Sequence, residues 1–239
     1  MSEWARKVFW SRVEVTSQPG GWGVALDGRP VRTPAKVPLI LPTRALADWV
    51  AAEWAAQTGT VRPQTMPATQ MANLALDKLP LHGPEVAALL SAYGETDLLC
   101  HRAQGPMELV ARQAADWDPL LAWAAEALGV PLRVGTGVMP LAQDPAAIAL
   151  LSARVAALPP FRLAPFHDLV SISGSLVLAL AVTEGRLPPE SAWSISRLDE
   201  DWQAEIWGAD EEAAFAAEHK RAAFLRAARF FQLADQAFA

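Results

Sequence analysis

The chain changes texture once, near residue 43, and that change limits its fold more than any motif does. Before it, apolar residues come in short runs broken by Pro and Gly. "KVFWSRVEVT" alternates apolar and polar residues in part, the two-residue period of a strand. "GGWGVALDGRPVRTP" sets Asp27-Gly28 between two short extended runs, a type I′ hairpin signal. "KVPLILP" (36–42) is a third candidate strand, and Pro34, Pro38 and Pro42 place it at a sheet edge. Beyond it, Thr43 predicts an N-cap for "RALADWVAAEWAAQ", where Leu46, Ala47, Trp49, Val50 and Trp54 recur at helical spacing.

From there the pattern is helical. "TGTVRPQTMPATQ" (58–70) is a breaker-rich connection, and "TQMANLALDKL" is a short helix. "PLHGPE" (80–85) predicts a linker and the domain boundary. In "PMELVARQAADWDPLLAWAAEALG", Asp116 or Asp118 is expected to cap a new helix at Pro119. Residues 130–143 predict irregular chain or a short hairpin, and Asp144-Pro145 starts another helix. "FHDLVSISGSLVLALAVTEG" predicts the most buried helix. "PPESAWSISRLDEDWQAEIWG" and the run from Glu211 follow as two more, the last with acids in its first turn and bases later. The expected architecture is α+β: an N-terminal α/β domain over 1–82, with a small β-sheet and covering helices, then an all-helical, orthogonal bundle-like domain over 83–239.

Composition narrows the function. Apolar residues make up 52% of 239, so the chain can bury a core. A net charge of −6 argues against a nucleic-acid binder, which needs a basic face, and against an anionic membrane surface. The longest apolar run, 169–182, is too short to span a bilayer. A single cysteine, Cys100, fits a reducing compartment, and the N-terminus lacks the apolar core of a secretory signal. The expected location is the cytoplasm.

Chemical motifs are scarce. No phosphate-binding P-loop is present, so no nucleotide is expected. His167-Asp168 lies near the serines of "SISGS", but neighbours on a helix are expected to point apart, which leaves no triad. Cys100-His101 is not spaced as metal ligands, and His82 and His219 are isolated. No catalytic residue, cofactor or metal site emerges. The rival to a binding protein is a hydrolase-like enzyme with a carboxylate-lined cleft between the domains.

The segment that resists a bland reading is "SRLDEDWQAEIWG" (196–208). From Asp199 to Glu212 it holds seven acids and no Lys or Arg. At about 100° per residue, Ile195, Leu198, Trp202 and Ile206 share a narrow arc, the expected buried stripe. Glu200 and Asp201 fall away from it as solvated charge. Arg197 can pair with Glu200 or Asp201, a contact worth about 0.2–0.5 kcal/mol. Asp199 lies only about 60° from the centre of the arc. A carboxylate there is either tied to a partner inside the fold or sits at the rim of an opening that something else fills.

Six blocks in order resemble one family: "GWGVALDGRPVRTP" (21–34), "LPTRALADWVAAEWAAQ" (41–57), "MPATQMANLALD" (66–77), "TDLLCHR" (96–102), "WDPLLAWA" (117–124) and "SRLDEDWQAEIWG" (196–208). The chain resembles the assembly chaperones of the F-type ATP synthase catalytic head that serve its α subunit. The resemblance implies a two-domain fold and an ATP-independent, non-enzymatic chaperone. Such a chaperone would hold the unassembled α subunit, prevent its self-association and hand it to the β subunit. It points to Asp199 as a partner-binding residue and to Trp54 as a structural residue packing helix on sheet; the charged rim and apolar anchor of the same segment add Glu200, Arg197 and Trp207 as expected partner-binding residues. It also implies a glutamate after "SRL". Asp199 keeps that charge with one methylene less reach.

Overall fold

The computed structural model describes residues 7–137, 141–208 and 210–235. β1 (Val13–Gln18) and β2 (Gly21–Leu26) form an antiparallel pair, in register from Val13↔Leu26 to Gln18↔Gly21. β2 turns at Asp27-Gly28 into β3 (Arg29–Pro30), with Leu26 opposite Arg29. Both turn residues have positive φ, 47° and 78°, as a type I′ turn requires. β4 (Ile40–Leu41) pairs with β2 through Trp22↔Leu41, leaving β2 central.

Thr43 caps α1 (Arg44–Ala55), its hydroxyl accepting from the Leu46 N–H at 3.1 Å. α1 turns Leu46, Ala47 and Val50 toward Val24, Leu26, Leu39 and Leu41 of the sheet. α2 (Pro67–Asp77) adds Ala68 and Ala72 to that core. Trp54 packs against the same core and meets Trp10 edge-on at 5.4 Å, its indole N–H buried without an acceptor among the described residues.

Glu53, one residue earlier, is buried. Its carboxylate accepts from the Ala68 and Thr69 N–H groups at 2.7 and 2.8 Å and from the Thr69 hydroxyl at 2.7 Å. A side chain of α1 thus closes the open N-terminus of α2, where a helix has unsatisfied donors and favours negative charge.

The expected linker at 80–85 is instead helix. α3 (Leu79–Ser91) runs through it with Pro84 inside. Pro84 removes one backbone bond near the helix start, and burial of Ala87 and Leu90 holds the remainder. α4 (Met107–Leu128) likewise carries Pro119 in its interior and does not restart there. Buried Trp117, Leu120, Leu121 and Ala124 hold it across the proline, and Asp118 pairs with Arg102 at 2.8 Å instead of capping. The 130–143 segment forms no hairpin among its described residues. Its β6 (Gly135–Thr136) runs parallel to the distant β5 (His101–Arg102).

α5 (Pro145–Ala156) starts at Asp144 as expected, the carboxylate accepting from the Ala146 N–H at 2.9 Å. The expected single buried helix is two, α6 (Pro160–Ser173) and α7 (Leu176–Thr183). Gly174 breaks them at φ 70°, a conformation that suits glycine. Ser175 then caps α7 and donates at 2.7 Å to Asp97, a fully buried carboxylate that also accepts from the Leu99 and Val177 N–H groups. Burial pushes Asp97 above the ordinary carboxylate range, against the pull of these donors. α7 is buried from Leu176 to Val182, so no face of it is polar. α8 (Pro189–Ser196), α9 (Leu198–Trp207) and α10 (Glu211–Leu233) complete the chain.

The chain forms two compact units. One comprises the first 83 residues, Pro159–Pro165 and the chain from Arg229 onward. In it, the end of α10 supplies Phe230 to the sheet core, and Phe161 stacks on that ring at 6.5 Å. The other comprises Pro84–Leu158 and Phe166–Ala228, with Trp117, Phe166 and Phe224 among its largest buried side chains. No helix among the described residues is long and apolar enough to cross a membrane.

Candidate functional site

The acidic segment is not one helix. α8 stops where the Ser196 hydroxyl bonds back to the Trp193 carbonyl at 2.7 Å, and Arg197 takes φ −103°, ψ 6° before α9 begins. A wheel drawn through Ile195 therefore loses its phase. Leu198 is buried and Trp202 half-buried, but Ile206 is 57% exposed, which overturns the expected stripe at its far end.

Two polar contacts seat α9 on α4, and a third seats the end of α8 there. Gln113 is 1% exposed, and its amide donates to Asp199 Oδ1 at 2.7 Å while its carbonyl accepts from the Ala103 N–H at 2.9 Å. Arg112 donates to both carboxylate oxygens of Glu205, at 2.9 and 2.8 Å, and lies 4.7 Å over the Trp202 ring. The Trp117 indole donates to the Ile195 carbonyl at 3.1 Å, at the end of α8. Of the two readings left open for Asp199, the geometry carries the internal partner: a half-buried carboxylate bonded to a buried amide. Glu200 pairs with Arg197 at 2.6 Å on the exposed side, and Arg197 also lies 5.7 Å over Trp193. Asp199 and the Arg197–Glu200 pair thus share the first turn of α9, while Trp207 stands at its far end, 79% exposed.

Sequence reasoning missed Arg112 and Gln113. Their partners lie 93 and 86 residues away, and no local spacing announces such pairs. It also missed Glu53 and Asp97, which read as ordinary acids until the fold buries them.

The other candidates resolve differently. His167 does meet Asp168, Nδ1 to Oδ1 at 3.2 Å, contrary to the expectation that the two point apart; both side chains are half-buried and lean together. The hydrogen bond holds the imidazole above its ordinary value, against desolvation. Among the described residues, no serine completes a triad with them. The Ser173 hydroxyl donates to the Leu169 carbonyl at 2.6 Å, and the Ser175 hydroxyl to Asp97. Cys100 is buried beside Asp97, and its thiol is pushed up to about 12 by burial first and by that carboxylate second, so it stays protonated. An open groove of about 630 Å³ is lined by Glu95, Thr96, His101, Ile148 and Ser152, with the Gln143 amide tied to the Arg133 backbone. Among the described residues, no three of His, Cys, Asp and Glu gather as a metal ion needs.

Comparison with known proteins agrees with this architecture. Residues 7–125 match the family described as ATP12 chaperone protein. The mitochondrial protein atp12 of Schizosaccharomyces pombe is 27% identical over 219 residues, spanning 86% of this chain and 75% of that protein. The crystal structure of Atp12 from Paracoccus denitrificans is 48% identical, covers 97% of this chain and 99% of its own, and superposes with a TM-score of 0.93. A point mutant of P. denitrificans Atp12p is also 48% identical, covers 98% of this chain and 100% of its own, and gives 0.94.

Proposed function

The chain belongs to the ATP12 family of ATP synthase assembly chaperones, and we propose that within it this protein captures the unassembled α subunit of the F-type catalytic head and later yields it to the β subunit. One observation carries this reading. α9 ends in Ile206 and Trp207, large apolar side chains 57% and 79% exposed, on a helix that also carries Asp199, Glu200, Asp201 and Glu205. A soluble protein gains nothing from such a surface alone. A partner that buries it removes apolar area from water, and the charged rim selects and orients that partner.

In this reading Trp207 is the anchor. The Arg197–Glu200 pair forms part of the rim, and Asp199 is a positioning residue that sets α9 on α4 through Gln113. An unassembled α subunit exposes the surface meant for β. Covering it blocks wrong self-association, and β displaces the chaperone by competing for the same face. The protein then works by mass action, without nucleotide, cofactor or catalysis, in the cytoplasm. Co-purification with newly made α subunit tests this. The expected result is a stable complex without β that dissolves when β is added. A protein that never retains α, or that retains it equally with β present, overturns the proposal.

A further inference from the structure

α10 has two halves with opposite surroundings. From Phe224 onward it alternates buried and exposed residues, as a packed helix does. From Glu211 to Lys220 every residue is exposed except Ala217, which is half-buried. The end of α9 matches it, with Gln203 to Gly208 exposed throughout. These stretches form a limb that the described residues do not cover.

A short helix that packs on nothing is marginal in water. This one stays helical because it continues a packed helix and is rich in alanine. The Asp210 carboxylate also caps its start, accepting from the Ala213 N–H at 2.7 Å. The limb nevertheless displays Ile206, Trp207 and Phe215, the last 69% exposed and touching only the edge of His219 at 4.4 Å among the ring contacts of the described residues.

Its charge says what would cover it. From Gln203 to Glu218 there are five acids and no Lys or Arg. Glu205 is paired with Arg112 and Glu218 with Arg221, but no cation among the described residues pairs with Asp210, Glu211 or Glu212. α9 already shows how such a surface takes a guanidinium. Arg112 lies over the Trp202 ring while gripping Glu205, three residues on. Trp207 with Asp210 and Glu211 repeats those residue types, without an arginine.

We propose that this limb receives a basic segment of the captured subunit, carrying an aliphatic or aromatic anchor flanked by Arg or Lys. The anchor packs among Ile206, Trp207 and Phe215, and the cations meet the acids at 210–212 and the indole face. The proposal rests on the reading that the protein captures the α subunit, and it names the chemistry of the segment grasped.

The test uses the full chain. Binding of α subunit is measured for wild type, Trp207→Ala, Phe215→Ser and the double change Glu211→Lys with Glu212→Lys, with circular dichroism as the fold control. In parallel, a synthetic amphipathic Arg/Leu peptide and its Glu/Leu counterpart are titrated against the tryptophan fluorescence of each protein. Trp207→Ala is expected to weaken both interactions by about 30-fold, the size of an anchor residue's effect. The double change is expected to weaken them several-fold, and salt raised from about 50 to about 500 mM to weaken wild-type binding similarly. The Glu/Leu peptide is expected not to bind. If α is captured but these variants bind it like wild type, the limb proposal falls and the chaperone reading stands. If α is not captured but the Arg/Leu peptide binds through Trp207, the limb's chemistry stands and its assigned source falls. If neither binds, both fall. A concentration-dependent dimer that Trp207→Ala abolishes overturns the proposal in favour of a second copy of this chain.

Discussion

Asp199 sits where a change of charge and a change of position can be separated. Its carboxylate accepts a 2.7 Å hydrogen bond from Gln113, whose other end holds the Ala103 N–H. Asp199→Asn retains an oxygen of equal reach and discards only the charge. Hydrogen bonds to charged groups contribute about 1.5–3 kcal/mol and neutral ones about 0.5–1.5, so Asn is expected to cost about 1 kcal/mol. Asp199→Lys removes the acceptor altogether and turns an ammonium toward the amide donor. The lost bond and the orphaned, buried Gln113 N–H together amount to about 2–4 kcal/mol, concentrated on the seat between α4 and α9. For a chain of this size each kcal/mol shifts Tm by about 2–4 °C. Asn is then expected to lower Tm by a few degrees and Lys by about 5–15 °C. Thermal melts followed by circular dichroism, beside α-subunit capture well below the melt, read both effects. Asn should keep most of the capture and Lys should lose it. A Lys variant that melts like wild type refutes the positioning argument. So does an Asn variant that melts normally yet captures nothing, because the charge itself would then touch the partner.

Two further outcomes follow from buried or paired groups. Glu53→Ala removes the acceptor of two buried N–H groups and one hydroxyl, and is expected to cost about 3–5 kcal/mol in urea unfolding. A loss below about 1 kcal/mol would show that α2 does not depend on that cap. His167, raised by its hydrogen bond to Asp168, contributes stability that is full below its ordinary value of 6.5 and is lost as pH rises through the higher folded-state value. An NMR titration of its ring protons should give a midpoint above 6.5 that falls in Asp168→Asn; an unchanged midpoint in that variant contradicts the assignment.

Where local chemistry decides local structure, the reading from residues held. Asp27-Gly28 made the turn because both positions need positive φ, and Thr43 and Asp144 capped because their side chains reach the first free N–H groups. The reading failed where burial outweighs propensity. Pro84 and Pro119 lie inside helices whose apolar faces are packed well enough to absorb a missing backbone bond. It failed again where one glycine or one twisted residue divides a long apolar run. The breaks at Gly174 and Arg197 reset the helical phase, and a wheel has no means of sensing that.

The candidate site divides along the same line. Its ingredients, an acidic run with Trp202 and Trp207, stand in the residue order, because charge and aromatic content need no fold to be counted. Their roles do not. Trp202 was claimed by Arg112 and half-buried, Asp199 was turned inward to Gln113, and Trp207 was left in solvent. Each outcome depends on a partner some 90 residues away or on having none, and chain entropy keeps such distant pairs from forming until the helices dock. Tight turns and helix caps follow from short-range sterics and side-chain reach, so the chain's own order settles them. Which acid is structural and which is offered to a partner follows from desolvation, and desolvation exists only once the chain is packed.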